Sequence, residues 1–71
     1  MNSKPRKRLI EARGKRKQSD IAELCGVKQQ TYSHWETGRV TPPIKRMLAL
    51  ERALGKPKEE LFFDVFNSVN E

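Results

Sequence analysis

Few groups in this 71-residue sequence could make or break bonds. Its one histidine, His34, and its one cysteine, Cys25, fall on successive amphipathic segments, with Cys25 expected to point inward as a small core residue. No carboxylates stand at the spacing of an acid–base couple or a metal site. General acid–base, nucleophilic and metal-assisted catalysis therefore all lack a constellation. The chain is expected to be no enzyme, to use no cofactor or metal, and to take no small-molecule ligand. What it concentrates instead is hydrogen-bonding capacity. Lys28, Gln29, Gln30, Thr31, Ser33 and His34 form a polar run interrupted only by Tyr32.

Charge narrows the kind of partner. Fifteen Lys and Arg stand against nine Asp and Glu, a formal charge of +6. This balance suits a polyanion, because each cation that neutralises a phosphate releases condensed counterions. Basicity alone does not separate nucleic acid from a membrane surface or a merely solvated face. The charge is also uneven. Lys4, Arg6, Lys7, Arg8, Arg13, Lys15, Arg16 and Lys17 are opposed only by Glu11. Near the other end, Glu59, Glu60, Asp64 and Glu71 face Lys58 alone. One end is thus expected to meet the polyanion, with the N-terminal run along phosphates, and the other to stay clear of it.

The elements that must position these groups read as helices. Ser3 with Pro5 is expected to open a first helix that Gly14 closes, and a second covers 18–25 and stops at Gly26. A third runs from about 28 to Glu36, before Gly38. Thr41 as N-cap and Pro42 at the first helical position should open a fourth. Its apolar residues are Ile44, Met47, Leu48, Ala53 and Leu54, and Gly55 and Pro57 end it. A fifth spans 58–66 on Leu61, Phe62, Val65 and Phe66. No stretch alternates as a strand does. The reading is one all-α domain of five helices over 1–71. No apolar run approaches the ~18 residues of a membrane span, and no signal-peptide core is present. The single cysteine excludes an intrachain disulfide, so a cytoplasmic setting is expected.

Residues 18–37 carry the function. Two short amphipathic helices meet at Gly26, which suits a positive-φ turn because it has no Cβ. Ile21, Ala22, Cys25, Val27, Tyr32 and Trp35 are the apolar positions. Ala22 is the small residue where the helices cross, and Val27, Tyr32 and Trp35 lock the second helix onto the first. Tyr32 and Trp35 are therefore read as core and not as base-stacking platforms. The polar run 28–34 is left facing outward.

This stretch resembles the helix-turn-helix of the Cro and phage-repressor (XRE-like) family of bacterial transcription regulators. Trp35-Glu36-Thr37-Gly38, Pro42, Ala53-Leu54-Gly55 and Glu60-Leu61-Phe62 extend the likeness over most of the chain. Val27-Lys28-Gln29-Gln30-Thr31 is especially similar to the Cro proteins of lambdoid phages. Lys17 stands where relatives usually carry a capping threonine, and Glu11 where they often carry arginine. The resemblance implies a compact λ-repressor-like fold and a repressor that occupies a double-stranded DNA operator. It places Gln29, Gln30, Ser33 and His34 against bases, where a glutamine amide fits adenine N6 and N7. It places Gln18, Lys17, Lys28, Thr31, Arg39, Arg16 and the amides near Gly38 against phosphates, which position without specifying. It further implies a weak homodimer, for which Phe63, Val65 and Phe66 in the tail 63–71 are the expected contact, acting at the nucleoid of a bacterial or phage-infected cell. The rival implication is an antitoxin-like protein-interaction module on the same scaffold.

Overall fold

The computed structural model describes residues 4–67. Ser3 and residues 68–71, the end of the expected contact tail, lie outside the described residues. Six helices follow in order: α1 Lys7–Arg13, α2 Gln18–Cys25, α3 Gln29–Thr37, α4 Ile44–Leu54, α5 Lys58–Leu61 and α6 Phe63–Phe66. No strand occurs among the described residues. The architecture is all-α, with a helix-turn-helix arrangement of α2 and α3.

One core joins the helices. Leu9 from α1 meets Ile21, Ala22 and Cys25 of α2, Tyr32 and Trp35 of α3, Met47, Leu50 and Leu54 of α4, and Leu61 with Phe62. Within this core α2 lies between α3 and α4, and α1 rests against α5. Ala22, the expected crossing residue, is buried between these neighbours.

Three expected boundaries move, each for a local reason. The first helix opens at Lys7, because the Arg6 backbone (φ −87°, ψ 87°) is not helical and its N–H is donated to the Glu36 carbonyl at 2.7 Å. The fourth opens at Ile44, with extended Pro43 as its N-cap. Pro42 cannot be the first helical residue because the proline that follows drives it out of the α region. Thr41, read as a cap, accepts a hydrogen bond from Arg6 instead, at 2.7 Å. The expected fifth helix is two single turns broken at Phe62 (φ −117°, ψ 49°). The break lets the consecutive Leu61 and Phe62 both be buried, although a continuous helix would turn them about 100° apart.

The apolar face of α4 also differs from expectation. Met47, Leu50 and Leu54 are buried, whereas Ile44 and Leu48 are 51% and 44% exposed. Ile44 sits in the first turn, a full turn before Met47, and Leu48 lies about 100° around the helix from it.

Candidate nucleic-acid interface

The interface is built on the joint between α2 and α3. Gly26 takes φ +73°, and the Val27 N–H reaches back to the Ala22 carbonyl at 3.0 Å, closing the end of α2 and aiming the chain into α3. Helical spacing then divides α3 in two. Tyr32, Trp35 and Glu36 face inward, with the Tyr32 and Trp35 rings edge to face at 5.9 Å. Gln29, Gln30 and Thr31 are exposed, and Ser33 and His34 are half-buried. Neither Lys17 nor Lys28, the extended residues that precede α2 and α3, makes a side-chain cap. The first turn of α3 carries no acid, so its open amides keep their positive field.

Behind this face lies a charged network. Glu36, 3% exposed, accepts from Arg13 Nε at 2.5 Å, from Arg13 Nη2 at 3.1 Å and from Gln18 Nε2 at 2.8 Å. Gln29 Nε2 stands 3.5 Å from Gln18 Oε1, so the network reaches the outer surface. Burial opposes ionisation of Glu36, but the donors and the charge of Arg13 outweigh it and hold the carboxyl below its ordinary value. The same hydrogen bond raises Arg13. Tyr32 is pushed far up, by burial first and then by the neighbouring Glu36. Its buried hydroxyl feels that charge without reaching hydrogen-bond geometry. Burial likewise raises the Cys25 thiol, against the opposing charge of Arg46. Cys25 is a core residue.

Glu36 and Arg13 were assigned no such role from sequence. Glu36 falls one turn beyond Tyr32 on the same helical face, a signal that places it inward. Arg13 carries no comparable signal, since it lies 23 positions away on α1.

Arg6 is a second correction to the basic run. Its side chain is 4% exposed and its Nε meets Asp64 at 3.0 Å. Its Nη1 donates to the carbonyls of Trp35 (2.7 Å) and Val40 (2.9 Å), and the guanidinium lies 5.1 Å from the centre of the Phe62 ring. Arg8 sits 4.2 Å above Phe63. The basic and acidic ends thus meet at Arg6 and Asp64, and Arg6 and Arg13, expected with the rest of the basic run along phosphates, are turned inward.

The remaining expected contacts are placed as follows. Lys17, Lys28 and Arg39 are exposed, and Gln18 is half-buried. Arg16 is exposed but donates to the carbonyls of Ala12, Arg13 and Ala53, which leaves two of its five N–H groups. Two of the amides near Gly38 are engaged within the chain: Gly38 donates to Trp35 and Val40 to His34. Phe63 and Val65 are exposed, whereas Phe66 is half-buried against the core.

A positively charged all-helical chain that holds a polar helix face outward on a buried scaffold has the build of a nucleic-acid-binding module. The family model described as helix-turn-helix matches residues 7–61, more than half of the chain. The chain belongs to this helix-turn-helix family, of the Cro and phage-repressor type. Its general role is DNA binding in transcription regulation, and helix-turn-helix domains are not catalysts. No curated protein and no solved structure matches it. Among the described residues no helix is long and apolar enough to cross a membrane.

Proposed function

We propose that residues 1–71 form one λ-repressor-like domain that binds double-stranded DNA sequence-specifically and represses transcription by occupying an operator. The observation that carries this reading is the division of α3. Tyr32, Trp35 and Glu36 anchor it inward, while Gln29, Gln30 and Thr31 stand in solvent at its uncapped start. Gln29, Gln30, Ser33 and His34 read base edges. Gln18, Lys17, Lys28, Thr31, Arg39 and the remaining donors of Arg16 hold phosphates. Two copies associate weakly through Phe63, Val65 and Phe66 and read two half-sites about one helical turn apart. The setting is the nucleoid of a bacterial or phage-infected cell.

The test compares two variants over a panel of single-base-substituted duplexes. Gln29→Ala should relax discrimination at one position by roughly 1–3 kcal/mol. Lys28→Ala should weaken every duplex alike and make the salt slope shallower by about 1. Uniform weakening in both variants would refute the assignment of Gln29 to base reading. A second reading, the antitoxin-like interaction module, draws on the exposed apolar side chains Leu24, Ile44, Leu48 and Phe63. Under that reading Phe63→Glu would abolish binding of a partner protein and leave DNA affinity intact.

A further inference from the structure

Glu36 is buried, yet its bonding reaches the outer face of α3. An ionised carboxylate can only accept hydrogen bonds. The end of the Gln18 amide that faces Glu36 Oε1, 2.8 Å away, must therefore be its NH2, which turns Gln18 Oε1 outward. Gln29 presents its own Nε2 to that oxygen at 3.5 Å, a long contact but one of fixed polarity. With one N–H of Gln29 directed at Gln18, its Oε1 and its second N–H remain for a ligand. An acceptor beside a donor is the complement of adenine, whose N6 donates and whose N7 accepts. With Gln18 reversed, Gln29 would turn its oxygen inward and offer N–H groups alone. That pattern fits guanine, which presents N7 and O6, both acceptors.

We propose that Glu36 is a specificity-positioning residue: through Gln18 it fixes the polarity of the Gln29 amide, and so selects adenine over guanine at the base pair Gln29 faces. This rests on the proposed role of Gln29 as a base reader. Arg13 belongs to the same device, because its two hydrogen bonds hold the carboxylate in place and leave Oε1 directed at Gln18. Neither Glu36 nor Arg13 touches DNA in this scheme.

The experiment uses the full chain and a duplex it enriches from a random pool, with the Gln29-dependent position identified by Gln29→Ala. Affinities are measured for that duplex and for the same duplex with A·T changed to G·C at that position. The wild type should prefer adenine by about 5- to 150-fold. Glu36→Gln can present either amide end to Gln18, and should bring the ratio to within about threefold of unity while retaining helical content. Gln18→Ala should relax the same ratio. The double variant should relax it no further than either single change, as residues acting in one chain are non-additive.

An unchanged ratio in folded Glu36→Gln, or additive effects in the double variant, would overturn the proposal. Should Glu36→Gln fail to fold, Gln18→Ala and the wild-type side-chain amides carry the test. Gln18 amide protons should exchange with solvent more slowly than those of exposed Gln30. Equal exchange, or an unchanged ratio in Gln18→Ala, would overturn the proposal just as well. If Gln29→Ala relaxes no position, base reading by Gln29 falls and this proposal with it. If Gln29→Ala relaxes one position that Glu36→Gln leaves intact, only the positioning role falls.

Discussion

A carboxylate withdrawn from water beside one guanidinium is stable only while that partner stays. Glu36 and Arg13 meet this condition, with side chains 4% and 19% exposed. Removing one member strands the other, at a cost of roughly 3–5 kcal/mol. Glu36→Ala should therefore lose much of the stability of so small a domain, seen as a lower melting temperature by circular dichroism. The pair also sets an acid limit. Because the folded carboxyl lies below its ordinary value near 4.5, its contribution is complete above that value and is lost as pH falls through the lower, folded one. Melting temperature should hold from neutrality to about pH 5 and fall below it. The Glu36-dependent part of that fall should be missing in Glu36→Gln, and a wild-type melting temperature unchanged at pH 3 would contradict it. The outward glutamines were readable from residue type and helical spacing alone. The inward pair was only half readable, because spacing marks the face of Glu36 whereas the partner comes from a different helix.

At the scale of elements, α4 gives the sharpest comparison. Leu50 is fully buried and Leu48 is 44% exposed. Leu50→Ala should cost about 2–5 kcal/mol, and Leu48→Ala roughly 0.5 kcal/mol or less, by chemical denaturation. Equal losses would contradict the observed face. Sequence periodicity marked a helix here and found Met47 and Leu54, but took Leu48 in place of Leu50 for the core. The two leucines lie about 200° apart around the helix, and the position of α2 decides between them. The start of α4 was readable in principle, because consecutive prolines at 42 and 43 forbid helical geometry at the first. The break at Phe62 was not, as it follows from burying two adjacent side chains against α1 and α4. Gly38 shows another long-range constraint. It combines φ +82° with a path so close to the N-terminal segment that a Cβ would collide with the Lys4 carbonyl. Gly38→Ala should accordingly cost more than the ~1–2 kcal/mol of left-handed strain alone. A melting temperature equal to wild type would count against that approach.

Across the whole molecule, Arg6 ties the N-terminal segment to the end of α3, the 38–41 loop and α6 through Asp64, Trp35, Val40 and Thr41. Arg6→Met should destabilise the fold by leaving the Val40 carbonyl without its donor and the Trp35 carbonyl with only the 3.4 Å contact from Gly38, at about 1–3 kcal/mol for an unsatisfied group. Composition marked the N-terminal segment as basic and the C-terminal one as acidic, but not that they would meet: charge counted along a sequence carries no direction, and the inward turn of Arg6 depends on acceptors 29 to 58 residues away. The exposed cations that remain around α2 and α3 still favour a polyanion. Proposed phosphate contacts from Lys17, Lys28, Arg39 and Arg16 would give a slope of about −3 to −4 per subunit in log affinity against log salt. The most direct test of the account is selection of bound duplexes from a random DNA pool, sequenced after several rounds. The account predicts an enriched palindrome with half-sites about one helical turn apart and an adenine in each that Gln29→Ala ceases to require. Salt-sensitive binding with no enriched sequence would contradict it, because the chain would then grip the DNA backbone and read no bases.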